Sequence, residues 1–375
     1  MNKYQLFAFF HNFYRIFPIK KNKISFIGWP EANFTGNLGH IQQEFQKRND
    51  FHYNFIFKDE YNMSAPLPIL SKFMDLIRLF LLKSYHLATS HYIFLSDNFL
   101  PLAYMNPSPE TTIVQLWHAS GAFKKFGLST VSDEGLRELE TKLSHKLDLI
   151  TVSSKNVIPH YQEAFGVEER KVKALGVPRT DFYLKNSNEE VLTRLRARFE
   201  KKYPALENKK IVLYAPTFRD DPDRDQQLVK NFNVNRFNQE LGSEYVLMIR
   251  LHPLLNQVED GDFIDVTFYP DEKELLLIAD ILVTDYSSIM IEYALLNKPI
   301  IFFPYDYEYY INEERGFYFD YKDTVPGPIA YQVGDLINLI KKNNHDLNII
   351  KQFVASEFDR LDGKASQRIV DHVIK

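Results

Sequence analysis

Three apolar runs in the second half of the chain are each followed by polar groups suited to holding an anion. Thr217 and Arg219 follow Ile211–Tyr214, and Arg250 and His252 follow Tyr245–Ile249. Asp285, Ser287 and Ser288 follow Ile281–Val283, with Glu292 one turn further on. Arginine presents forked donors that match phosphate oxygens, and hydroxyls at the start of a helix add donors beside its free amides. Glu292 is suited to accept from ribose hydroxyls. Asp285 or Ser287 alone would read as a helix cap; the clustering of charged and hydroxyl groups at three neighbouring strand ends favours a nucleotide-like ligand. In the first half, His118 stands in Trp117-His118-Ala119-Ser120-Gly121 after the run Thr112–Leu116. A histidine near neutral pKa can take the proton of an acceptor hydroxyl. Gly121, Lys124, Lys125 and Gly127 then read as a tight, basic, acceptor-side loop.

Such groups need elements that bring strand ends to one edge. Short β-rich runs alternate with helix-length stretches, as parallel sheets covered on both faces require. The first half predicts strands at residues 23–29, 53–57, 92–95, 112–116, 149–152 and 172–175, and helices near 37–47, 68–82 and 156–165. A polar, helix-prone stretch at 185–209 precedes strands at 211–214, 245–249, 281–283 and 300–303. The expectation is an α/β chain of two doubly wound, Rossmann-like domains facing a cleft: 1–184 on the acceptor and membrane side, 185–375 binding the nucleotide donor. Ligands in such sheets bind at the carboxyl ends of strands.

Composition excludes several classes. With 375 residues, more than one core is expected, and 45% hydrophobic content excludes a disordered chain. Lysine and arginine total 45 against 49 acids, a net charge of −4, so no global basic field supports nucleic-acid binding. Cysteine is absent, which removes disulfides, thiolate metal sites and a cysteine nucleophile. The G-x-G-x-x-G, Walker A and H-E-x-x-H patterns are missing. Asp221, Asp223 and Asp225 begin like a calcium loop, but Gln226 and Phe232 stand where glycine and glutamate are needed. No metal and no cofactor are expected.

The N-terminus is aromatic and basic: residues 1–23 carry Phe7, Phe9, Phe10, Phe13, Tyr14 and Phe17 with Lys3, Arg15, Lys20, Lys21 and Lys23 and no acid, a local charge of +5. Its uncharged run, Tyr4 to Tyr14, is too short to span a bilayer, and no small-residue cleavage site follows. Two readings stand side by side: a helix lying on an anionic membrane surface, or a packed first helix with a solvated basic edge. Pro66–Tyr85 reads as a second apolar-basic helix, for which core burial is the better account.

Five motifs taken together resemble a known family. Trp117-His118-Ala119-x-Gly121 with Lys124-Lys125-Phe126-Gly127, Tyr214-Ala215-Pro216-Thr217-Phe218-Arg219, Arg250-Leu251-His252-Pro253, Thr284-Asp285-Tyr286-Ser287-Ser288 and Asp362-Gly363-Lys364-Ala365-Ser366 are similar to those of the CDP-glycerol glycerophosphotransferases of teichoic acid synthesis. The resemblance implies a glycosyltransferase-B fold, a CDP-glycerol or CDP-ribitol donor, an undecaprenyl-diphosphate-linked saccharide as acceptor, CMP as product, and peripheral attachment at the cytoplasmic face of the membrane. By motif position, His118 resembles the family's base and His252 the histidine that meets the donor phosphates. The W-H-A-x-G-A form looks more like the short, primase-type members. Polymerases of the family and UDP-sugar glycosyltransferases are the alternatives.

Overall fold

Strands form where β-branched and aromatic residues run together. The computed structural model describes residues 2–28, 36–48, 50–58, 60, 74–219, 221–225, 227–252, 261–314 and 316–374. They divide into two compact units, one of Met1–Ala122, Phe126–Asp181 and Asp359–Lys375, the other of Phe123–Lys125 and Phe182–Phe358.

The first unit holds β1 (Lys20–Gly28), β2 (His52–Phe57), β3 (Ser90–Leu95), β4 (Thr112–Gln115), β5 (Leu149–Thr151) and β6 (Val172–Lys173). They pair in parallel in the order β2-β1-β3-β4-β5-β6. The order reverses between β1 and β3, where a doubly wound sheet opens a crevice at its carboxyl edge. Gly28 ends β1 there. A Cβ on it would lie 2.1 Å from Ser96 Oγ, so only glycine lets the two strand ends approach this closely.

The second unit holds β7 (Lys210–Tyr214), β8 (Tyr245–Ile249), β9 (Ile264–Asp265), β10 (Ile281–Thr284) and β11 (Ile300–Phe302), also all parallel, in the order β11-β10-β7-β8-β9. Its switch point lies between β7 and β10. Alternate residues of β7 enter opposite cores: Ile211 and Leu213 pack with Leu275 and Met290, while Val212 and Tyr214 pack with Phe232 and Phe237. Burial on both faces explains why this strand is apolar at four successive positions rather than alternating.

The units differ from the expected division at 184/185 in two ways. Phe123–Lys125 leaves the first half: Lys125 N–H donates to Gly316 O at 2.9 Å and Tyr318 N–H to Phe123 O at 3.1 Å, which ties this segment to the second unit. The last 17 residues return to the first unit. Ile369 and Val370, on the helix Ala365–Val373, join the core of Ile41 and Phe45. Asp181 caps that helix, taking Ala365 N–H at 2.8 Å and Ser366 N–H at 2.9 Å. The Asp362–Ser366 motif is thus a helix start held by a distant carboxylate. Strand β9 was not expected; two residues are too few to show a period.

Helix α1 (Lys3–Tyr14) starts in a capping box between Asn2 and Gln5. It buries Phe7, Ala8 and His11 and leaves Phe9 and Phe13 exposed, with Ile16 and Phe17 exposed just after it. Of the expected helix near 68–82, residues up to 73 lie outside the described residues. The rest is α-helical at 74–77 and then a π-helical turn, Arg78–Lys83, leading into the helix Ser84–Ala88. Leu79 and Phe80 are buried, Phe80 against Phe7 and Phe10, while Met74, Ile77, Leu81 and Leu82 are exposed, so the expected core burial holds for only part of this segment.

Candidate functional site

In the first unit, β4 ends in a strained turn. Trp117 adopts φ +57°, a region that bulky side chains seldom occupy at a cost of ~1–3 kcal/mol. Its neighbours hold it. Gln115 Oε1 accepts the Trp117 N–H at 2.9 Å, and the indole stacks on Phe126 with an edge contact to Phe165. The next residue, His118, is exposed. Protein atoms still crowd its ring closely enough that desolvation lowers its pKa below the ordinary 6.5; Lys58 and Arg179 add to this, against the pull of Asp97 and of a hydrogen bond to the Ser96 backbone. Asp97 in turn accepts from Lys58 Nζ at 2.5 Å. The result is an accessible imidazole kept neutral at physiological pH, the state a general base needs. Gly121, at φ +67°, accepts from Tyr161 Oη at 3.2 Å and completes the turn.

In the second unit, the switch point is filled by ion pairs. Arg219 donates from Nη2 to Asp285 Oδ2 at 2.9 Å and from Nε to Asp306 Oδ2 at 2.7 Å, and from Nη1 to the Thr217 carbonyl. Tyr286 and Tyr310 stack at 3.7 Å with the guanidinium 5.1 and 5.2 Å from their centroids. Burial works against the Arg219 charge, but Asp285 and Asp306 outweigh it and raise its pKa, so the guanidinium stays charged. Asp285 Oδ1 accepts the N–H groups of Thr217, at 2.7 Å, and Tyr286. Arg219 and Asp285 therefore differ from their expected place against the donor: both are buried braces that shape the Thr217 and Tyr286-Ser287 backbone.

The remaining expected residues separate into two groups. Arg250 Nη1 donates to the carbonyls of Val266, Thr267 and Tyr269, and its Nε lies 3.4 Å from Glu272, so it organises the loop after β9. Glu292 is buried and accepts from Tyr183 Oη at 2.9 Å. Lys124 reaches Tyr310 Oη at 3.5 Å and bridges to Phe317, so Lys124 and Lys125 group with the second unit rather than with the acceptor-side loop expected of them. Ser287 Oγ accepts the Ile289 N–H at 3.3 Å, partly capping a helix of only six residues. Better placed for a ligand are Thr217, whose buried Oγ1 has no hydrogen-bond partner among the described residues, Ser288, whose side chain makes no cap, and exposed His252 over the Phe218 ring at 4.7 Å. Pro253 of that motif lies outside the described residues. Among the described residues no cluster of three metal-ligating side chains occurs.

Sequence reasoning missed Asp306, Asn37, Gln115 and Asp97. Asp306 follows a strand as Asp285 does, so the same signal applied to 300–303 would have found it. Asn37 reads only as the start of a helix.

A family model described as CDP-Glycerol:Poly(glycerophosphate) glycerophosphotransferase matches residues 8–375. The chain belongs to this family. It is 38% identical over 98% of its length to a teichoic acid poly(ribitol-phosphate) polymerase of Bacillus spizizenii, of which it spans 59%. It is 32% identical over 96% of its length to a teichoic acid ribitol-phosphate primase of the same organism, of which it spans 92%. Its fold is similar to that of the wall teichoic acid polymerase TagF, with a TM-score of 0.79, 24% identity, and coverage of 99% of this chain and 93% of that one. A UDP-GlcNAc 2-epimerase from Neisseria meningitidis shares the fold more distantly, with a TM-score of 0.56 and 13% identity over 94% of this chain and 99% of that one.

Proposed function

We propose that this member of the family transfers glycerol phosphate from CDP-glycerol to a hydroxyl of an undecaprenyl-diphosphate-linked saccharide, releasing CMP, at the cytoplasmic face of the membrane. The observation that carries the reading is an exposed, neutral His118 presented by a strained turn in a chain that matches the family from residue 8 to 375. His118 takes the acceptor proton as its oxygen bonds to the phosphorus bearing the polyol. The bond from that phosphorus to CMP breaks, with His252 acting on the leaving phosphate. Thr217 and Ser288 supply hydroxyls to the diphosphate. Arg219, Asp285 and Asp306 hold the backbone that presents them. Such a displacement depends on positioning and charge stabilisation more than on covalent catalysis.

Ribitol phosphate from CDP-ribitol, added once or repeatedly, is the second reading, favoured by the 38% and 32% identities to ribitol-phosphate enzymes. Membrane attachment draws support from exposed Phe9, Phe13, Ile16 and Phe17 beside Lys3, Arg15, Lys20 and Lys21. Among the described residues no helix is long and apolar enough to cross a membrane.

The test is incubation with CDP-glycerol, CDP-ribitol or UDP-GlcNAc and a synthetic lipid-linked disaccharide. CMP release and a product heavier by one glycerol phosphate are expected. Ribitol phosphate in the product moves the donor to the second reading, and release of UDP alone overturns both.

A further inference from the structure

The Asn37 side chain joins three segments of the first unit. It opens α2 (Asn37–Gln46) and is only 3% exposed. Its Nδ2 donates to the Trp117 carbonyl at 2.7 Å, and its Oδ1 accepts the Arg179 N–H at 2.9 Å. Arg179 returns to the same turn, donating from Nη1 to the His118 carbonyl at 3.2 Å. Asn37 therefore grips the peptide between Trp117 and His118, immediately after the one aromatic residue at positive φ among the described residues. A turn that costs ~1–3 kcal/mol relaxes unless its surroundings fix it, and relaxation here would rotate the His118 peptide.

We infer that Asn37 is a positioning residue, its amide holding the Trp117–His118 peptide so that the His118 imidazole meets the acceptor hydroxyl. The inference rests on the reading of His118 as base. Asparagine suits the task because one planar group supplies a donor to Trp117 and an acceptor to Arg179. Aspartate would keep the acceptor but set a carboxylate oxygen against the Trp117 carbonyl. That contact and burial both favour the protonated acid, whose O–H restores the missing donor. Asn37→Asp thus carries a repair that acid switches on, and Asn37→Ala carries none.

The experiment compares the wild type, Asn37→Ala, Asn37→Asp and His118→Ala as full chains. It measures CMP release with the lipid-linked disaccharide and whichever CDP-polyol the wild type uses, between about pH 5.5 and 8, and donor affinity by calorimetry. A misplacement of ~1 Å costs on the order of 10²-fold, so kcat should fall ~10- to 100-fold in both Asn37 variants with donor affinity within about 2-fold of wild type. The rate of Asn37→Asp relative to wild type should rise as pH falls, while that of Asn37→Ala stays level. A packing defect alone would not produce this divergence. Should Asn37→Ala fail to fold, the pH trend of Asn37→Asp decides alone. Wild-type turnover in Asn37→Asp at pH 8, or a flat ratio, overturns the inference. If His118→Ala is impaired in the same assay, that failure belongs to Asn37 only; if His118→Ala turns over normally, the base reading falls and the inference with it.

Discussion

Arg219 donates from Nη2 to Asp285 Oδ2 at 2.9 Å, with both side chains fully shielded from solvent. A buried pair of this kind is stable only while its other hydrogen-bonding groups are met; Asp306 and the Thr217 carbonyl accept from Arg219, and the Tyr286 N–H donates to Asp285. The pair crosses from the end of β7 to the end of β10, so it fixes the relative position of the two strand ends that carry Thr217 and Ser287-Ser288.

Removing one partner strands a buried charge. Asp306→Ala should lower stability by ~3–5 kcal/mol, since the Arg219 guanidinium stays charged while losing its Nε partner. Urea unfolding monitored by tryptophan-independent circular dichroism checks this. A loss under ~1 kcal/mol would mean that Asp285 alone compensates the arginine.

Thr217→Val separates binding from stability. The Thr217 Oγ1 is buried without a hydrogen-bond partner among the described residues, so an isosteric methyl should leave the thermal midpoint unchanged or raise it. Donor affinity should fall several-fold in calorimetry with the CDP-polyol, because the lost hydroxyl is one that the diphosphate would use. Unaltered affinity would place the diphosphate away from this strand end.

Glu357, at the end of the helix Leu347–Glu357, has a buried Oε2 lacking a hydrogen-bond partner among the described residues, and burial pushes its carboxyl from 4.5 up to about 7. The folded chain thus holds a proton that the unfolded chain releases at lower pH. Its contribution to stability is complete below about pH 4.5, declines as pH rises, and is lost above about 7, a range worth about 3 kcal/mol. Glu357→Gln should therefore melt higher than wild type at pH 8 and alongside it at pH 4. Equal melting at both pH values would show that this carboxyl ionises freely in the folded chain.

The exposed apolar side chains of the N-terminal region predict lipid binding. Changing Phe9 and Phe13 to Ser, or Lys3, Arg15 and Lys20 to Glu, should reduce flotation with anionic vesicles, since each basic residue near such a surface is worth ~1 kcal/mol. Donor binding should be unaffected, and salt should weaken flotation of the wild type. Variants that float as well as wild type would leave α1 as a packed helix with a solvated edge.

Most strand positions were legible because their central residues are apolar at successive positions, as in Ile211–Tyr214 and Tyr245–Ile249. The roles of Arg219 and Asp285 were not legible: a charged residue at a strand end looks the same whether it faces a ligand or an opposite charge, and only the position of Asp306 decides. Nor could sequence show that Ala365–Val373 returns to the first unit, because its partners, Asp181 and Ile41, are far away along the chain. His118 stands out in the sequence by its place after β4, whereas Asn37, whose side chain meets the same turn, carries no local signal beyond opening a helix.

The account turns on His118 as the base, and the single-turnover rate of CMP release against pH tests it most directly. Desolvation holds the pKa of His118 below 6.5, so the wild-type rate should rise with pH along an acid limb whose midpoint lies below that value and then level off. In His118→Ala the rate should drop at least ~10²-fold and lose the acid limb, with donor affinity near normal. A variant that releases CMP at the wild-type rate with the same acid limb would contradict the account.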